Sequence, residues 1–462
     1  MLLFTFLGVQ VLNQDREIVI IGCGAGGGTA AQFARKTDRK AKITIFEKGK
    51  YPQYSRCGLP YAISGKIPKI FDLVEFSEEW FKKANIDLLL NTTVEKIDIK
   101  NKKIFAKNIE KSFDSLIICT GSKPFLPPIK NIDVKGVFVL KTIDDAKKIQ
   151  SHAMNSKKAT IIGAGMIGLE MADNLYNKGL KITVVEALPN ILANNLDEDM
   201  AKLVADSIPT SITVYTNHLA TQTIDKNGKV TGVAIKDKAT GKEKIVETDM
   251  LIIAAGTKPE VELAKQIGCK IGSTGGIVVN NRSETSIKDV YAVGDCTEFI
   301  DFVNASPTLI GLGSVAVRQG IASGTNAAGG EYNLPKGALN TSTSEFFGVE
   351  IASVGPTTAN LEDFTVVSAR FNGYSLPEYY PGGQPISIKV MVDKYTGMVM
   401  ASQAVGDKAA QRINTFATAI LGEMDIETLR KLETAYAPPI APTLDAVTLV
   451  CDMVSMKLSR KK

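Results

Sequence analysis

Cys57 lies in the run Tyr54-Ser55-Arg56-Cys57-Gly58-Leu59-Pro60-Tyr61, the segment of this chain best suited to covalent sulfur chemistry. A thiolate attacks disulfides and related sulfur electrophiles, and how readily it forms depends on the thiol pKa. Proline favours the first turn of a helix, so Gly58-Leu59-Pro60 predicts a helix that begins just after Cys57. The positive end of that helix would lower the thiol pKa; Arg56 either adds its charge or faces solvent. The other cysteines, at 23, 119, 269, 296 and 451, fall at strand ends, in turns or in ordinary contexts and read as structural. No pair has C-x-x-C spacing and no Cys/His group has ligand spacing, so no metal site is expected. Only two histidines exist, His152 and His218, which leaves little room for a histidine-based triad.

Two glycine-rich runs bring a second kind of chemistry, the holding of phosphates. The β-branched run Glu17-Ile18-Val19-Ile20-Ile21 leads into Gly22-Cys23-Gly24-Ala25-Gly26-Gly27, and good helix formers follow from Thr29 to Lys36. In such a G-x-G-x-x-G unit the first glycine makes the tight turn, the second admits a pyrophosphate, and the third lets helix and strand pack closely. The next strand-like run, Ile43 to Phe46, ends in Glu47 and Lys48, where an acid can accept hydrogen bonds from a ribose. The pattern recurs: Ala159 to Ile162, then Gly163-Ala164-Gly165-Met166-Ile167-Gly168-Leu169-Glu170, then Ile182 to Val185 ending in Glu186. Two units imply two dinucleotides. A carboxylate at Glu186 suits the free ribose hydroxyl of NADH and repels the extra phosphate of NADPH. The runs ending in Thr120-Gly121, Gly256 and Gly294-Asp295 are further strands closing on turns, and the C-terminal ends of such strands are where ligands bind.

The bulk properties narrow the class. At 462 residues the chain exceeds what one core supports, so two or three domains are expected. With 54 Lys+Arg against 49 Asp+Glu the net charge is only +5, and no stretch interleaves basic and aromatic residues, so nucleic acid is not an expected partner. Scattered cysteines in a large chain suit a reducing compartment, the cytoplasm. The apolar start, Met1 to Leu12, is too short to span a bilayer and lacks the basic region and cleavage site of a signal peptide. It reads as an extra leading segment, with membrane anchoring the minor alternative, and no membrane partner is expected.

Two Rossmann units, with T-G-x-x-P between them and G-T-x-P and then G-D-C after the second, resemble the FAD-dependent pyridine nucleotide–disulfide oxidoreductases, from about Glu17 to about Asp452. The resemblance implies an α/β fold with FAD held by the first unit and by Gly294-Asp295. It implies NADH at the second unit, with NADPH left open, and a C-terminal α+β region forming a homodimer. A single cysteine in the segment around Cys57 is similar to the branch that holds coenzyme A-disulfide reductases, NADH oxidases and NADH peroxidases. Ala25 stands where peroxidases and most oxidases of the branch carry a histidine. Glu378-Tyr379-Tyr380-Pro381-Gly382 and Ala435-Tyr436-Ala437-Pro438-Pro439 resemble the tyrosine segments of coenzyme A-disulfide reductases. On that match Tyr379 and Tyr436 reach the redox cysteine of the partner subunit, and Glu170 lies near the nicotinamide.

The function so implied is electron transfer from NADH through FAD to Cys57 and on to a small disulfide, coenzyme A disulfide first. Oxygen, polysulfide and, more remotely, a small redox protein such as rubredoxin are the alternative acceptors. Arg35, Lys36 and Lys66 are cations that could meet coenzyme A phosphates, although solvated charge is the plainer reading. The expected division is 15–143 and 278–336 for FAD, 144–277 for NADH and 337–462 for dimerisation.

Overall fold

The computed structural model describes residues 15–460; the apolar leading segment lies outside them. The two glycine units build the same sheet twice. In the first, five parallel strands run in the order Val290–Ala292, Ser115–Ile118, Glu17–Ile21, Lys42–Phe46, Ile86–Leu89. In the second the order is Val137–Val139, Met250–Ile253, Lys158–Ile162, Lys181–Val185, Thr213–Tyr215, again parallel. Strands buried on both faces need apolar side chains throughout, which is why these runs are near-continuous Ile, Val and Leu. Ile18, Ile20, Ile43, Ile117 and Ile161 have essentially no exposed surface. Each unit also carries a three-stranded antiparallel sheet, Lys96–Asp98 to Ile109–Ser112 in the first and His218–Lys226 to Glu243–Glu247 in the second.

The edge strands cross-link the units through the chain. The edge strand of the first sheet, Val290–Ala292, arrives only after the second unit is complete. The edge strand of the second sheet, Val137–Val139, lies before residue 144 in the chain, yet its backbone pairs with Met250–Ile253 and not with the first sheet. The next helix, Ile143–Ala153, opens with a capping box between Thr142 and Asp145 that satisfies its first N–H groups.

The C-terminal region is a five-stranded antiparallel sheet in the order Ser342–Phe346, Val349–Val354, Val399–Gly406, Pro385–Asp393, Val366–Tyr374. Helices Ala409–Leu421 and Ala446–Ser459 bury Phe416, Ile420, Val450 and Val454 against one side of it. Phe346, Ile351 and Val405 join the core of the second unit, so the sheet is covered on its other side as well. Among the described residues no helix is long and apolar enough to cross a membrane.

Candidate functional site

Both glycine loops open into one continuous cavity of about 2170 Å³, and Cys57 lines it. Small-molecule pockets usually measure about 300–1,000 Å³, so this one has room for ligands of dinucleotide size. Of the residues singled out in the sequence, every cofactor candidate except Gly168 lines the cavity. Gly168 does another job. A Cβ there would stand 2.0 Å from the Gly163 carbonyl oxygen, so its role is close packing of helix on strand. Gly27 repeats this contact, 2.0 Å from the Gly22 oxygen.

The two loops share the same backbone turn and helix start. Gly22 and Gly163 turn the chain at φ +103° and +106°, a conformation that glycine adopts without strain. Helices Ala25–Thr37 and Met166–Tyr176 start from Gly24 and Gly165, neither of which offers a side-chain cap. Their first N–H groups are thus left for an anion. A Cβ on Gly165 would meet nothing within 4 Å, so the backbone there faces open cavity. Glu47 accepts from the Cys23 and Gly49 N–H groups at 2.7 and 2.6 Å; Glu186 accepts from Ala164 and Leu188 at 2.6 and 2.7 Å. Each acid is therefore pinned at the mouth of its own loop. Gln53 is 3% exposed and packs its Oε1 onto Gly28, where a Cβ would stand 1.6 Å from that oxygen, so this third consecutive glycine lets the helix lie close to the Gln53 side chain. These features fit dinucleotides at both units.

Cys57 is placed by packing between units. The helix that follows it, Leu59–Ser64, buries Leu59, Ala62 and Ile63 in the core of the second unit, together with Ile143, Ile149 and Leu169. The cysteine thus sits at the seam where the two nucleotide units meet. It is the one exposed cysteine among the six.

The expected lowering of its pKa is not found. Although Cys57 is open to the cavity, protein crowds its thiol; this desolvation pushes the pKa up, and the charges of Glu170 and Asp295 push the same way. The helix is only six residues long and is capped by Gly58 rather than Cys57, so its dipole is too weak to prevail. Burial likewise raises Glu170, whose Oε1 accepts a 2.5 Å hydrogen bond from Ser344 Oγ. Tyr61 is pushed up to about 12, by burial first and by Glu170 next. Because the thiol titrates above the carboxyl range, Glu170 is an anion when Cys57 ionises. Glu170→Gln should therefore move the pH profile of Cys57 alkylation by iodoacetamide to lower pH; an unmoved profile would show that the two groups are not coupled.

Several of these residues are held by partners that the sequence did not single out. Asp295 accepts from Ser122 Oγ at 2.8 Å and pairs with Lys141 at 3.2 Å. Burial holds Lys141 below the usual lysine range, with Asp295 opposing the shift. Lys48 pairs with Glu260 at 2.9 Å, and Thr120 donates to the Glu260 carbonyl. Of the cations considered for coenzyme A phosphates, Arg35 is spent on the carbonyls of Asp38, Arg39, Ala84 and Asn85, and Lys66 pairs with Asp173. Lys36 lies over the Phe33 ring, 4.3 Å from its centroid.

Tyr379 and Tyr436 meet although 57 positions separate them, with hydroxyls 2.9 Å apart. The pair stands outside the cavity of its own chain, and the residues are 71% and 47% exposed. Within one chain the structure therefore does not bring them to Cys57.

Known proteins share this architecture. The NADH oxidase of Methanocaldococcus jannaschii is 38% identical over 96% of this chain and 99% of its own. The coenzyme A disulfide reductase of Staphylococcus haemolyticus is 29% identical over 94% and 98%. The solved structure of an NAD-dependent persulfide reductase from A. fulgidus superposes with a TM-score of 0.91 at 34% identity, covering 96% of this chain and 84% of that one. Residues 16–320 match the family described as pyridine nucleotide-disulphide oxidoreductase, and residues 341–447 match its dimerisation domain. With doubled nucleotide units, one shared cavity and a lone open cysteine at their seam, this chain belongs to the pyridine nucleotide-disulphide oxidoreductases.

Proposed function

We propose that this oxidoreductase passes electrons from NADH through FAD to Cys57 and on to coenzyme A disulfide or a close low-molecular-weight relative. The observation that carries the reading is the opening of Cys57 into the cavity shared by both glycine loops. FAD, when bound, supplies the two-electron step between hydride and sulfur. Gly22, Gly24, Ala25, Gly26 and Gly27 hold it, with Glu47, Lys48, Thr120, Gly121, Gly294 and Asp295. Gly163, Gly165, Glu170, Glu186 and Gly256 hold NADH, with Gly168 keeping the loop tight. The Glu186 charge disfavours the NADPH phosphate.

The Cys57 thiolate attacks one sulfur of the disulfide, forms a mixed disulfide with one half and releases the other as a thiolate that takes up a proton. The two electrons of NADH then cleave the mixed disulfide. The balance is NADH, a proton and one disulfide giving NAD and two thiols. Neither histidine serves this step: His152 faces the Asp249 carbonyl, and the His218 backbone pairs with Glu186 at the far loop. Tyr379 and Tyr436, delivered by the partner subunit of a homodimer, hold the proton at their hydroxyls. Six free cysteines, five of them at least partly shielded, suit the cytoplasm.

A second reading, with a persulfide or polysulfide as acceptor, draws on the likeness to the A. fulgidus enzyme and uses the same residues. NADH consumption by the purified protein separates the acceptors. Coenzyme A disulfide should give the fastest turnover, with two thiols per NADH. Faster turnover with polysulfide would establish the second reading, and faster turnover with oxygen alone would overturn both.

A further inference from the structure

Arg56 adjoins the redox cysteine, yet its side chain lies against the first nucleotide loop. Its guanidinium nitrogens stand 3.8 Å from where a Cβ on Gly24 would be and 3.8 Å from the same point on Gly121. Gly24 caps the first glycine-loop helix, and Gly121 turns the chain, at φ +71°, just beyond the strand Ser115–Ile118. The guanidinium therefore spans two backbone turns at the C-terminal edge of the first sheet, where ligands of open α/β sheets bind.

Its charge is also uncommitted. The neighbouring cations of this wall are paired, Lys48 with Glu260 and Lys141 with Asp295. Among the described residues no carboxylate lies within ion-pair distance of Arg56, and its one aromatic neighbour is the Tyr54 ring, 5.9 Å away. A full positive charge beside an uncapped helix start complements a diphosphate, which offers anionic oxygens.

We infer that Arg56 is the side chain that clasps the diphosphate of the dinucleotide at the first glycine loop. The inference rests on the reading that FAD binds there. The uncapped helix supplies N–H groups and only a partial charge. Arg56 adds a whole charge on a planar fork that matches phosphate oxygens two at a time. Because residue 56 is bonded to residue 57, the same clasp fixes the backbone that carries the redox sulfur.

The test titrates the full-length chain, stripped of flavin, with FAD and separately with riboflavin, following flavin fluorescence. Arg56→Gln should weaken FAD about ten- to a hundredfold and leave riboflavin, which has no diphosphate, unchanged. Arg56→Lys, which keeps the charge without the fork, should recover part of the loss, and NADH affinity should be unaltered in both variants. Equal FAD affinity in Arg56→Gln and the parent chain would overturn the role of Arg56 alone. A parallel loss of riboflavin would overturn it too, since Arg56 would then act on the ring or the fold. A parent chain without affinity for FAD would instead overturn the flavin reading, and the clasp with it.

Discussion

Replacing Cys57 by serine is expected to lower disulfide turnover by on the order of a thousandfold or more, because a hydroxyl does not ionise to a usable nucleophile as a thiol does. No other cysteine can take over. Cys119 lies closest to the role in exposure, but burial pushes its pKa well above the usual thiol range. Cys23, in the glycine loop itself, is 3% exposed and is likewise pushed up by burial. The serine variant should still bind NADH and still bleach the flavin in a single turnover, since neither glycine loop is touched. Steady-state NADH consumption with coenzyme A disulfide, set beside stopped-flow bleaching, separates the two halves of the cycle. Undiminished steady-state turnover would remove Cys57 from the mechanism.

The second large effect concerns the tyrosine pair. Tyr379→Phe with Tyr436→Phe should lower disulfide turnover by about a hundredfold, the usual scale for losing a positioned proton donor. In the sequence segments that flank the pair, Tyr374, Tyr380, Leu432, Ile440 and Leu444 are also exposed, and exposed apolar side chains in such numbers suit an interface. They lie in the stretch that matches the dimerisation domain. If the pair serves the partner's Cys57, defects in the two positions must complement. Coexpressing the tyrosine double variant with Cys57→Ser gives mixed dimers with one intact site, and random pairing should restore about a quarter of parental activity. No recovery in isolated mixed dimers would place the pair and the cysteine in the same chain. The hydrogen bond with Tyr436 pushes the Tyr379 pKa up from the ordinary phenol value.

The sequence by itself determined the two nucleotide units, because their chemistry is local. A tight turn, an uncapped helix start and an acid at the next strand's end all lie within a few dozen residues, and each leaves a residue type behind: Gly22, Gly24 and Glu47, then Gly163, Gly165 and Glu186. The single cysteine in its flanking run was legible for the same reason. Only the tertiary structure decided the electrostatics and the seams. The direction of the Cys57 pKa depends first on crowding that no spacing encodes, and then on Glu170 and Asp295, which arrive from distant segments. The contact of Ser344 with Glu170, the pairing of Val137–Val139 with the second sheet and the loss of Arg35 to backbone carbonyls have the same character. Spacing along a chain governs which groups share a turn, whereas burial and Coulomb energy depend on distances that only packing sets.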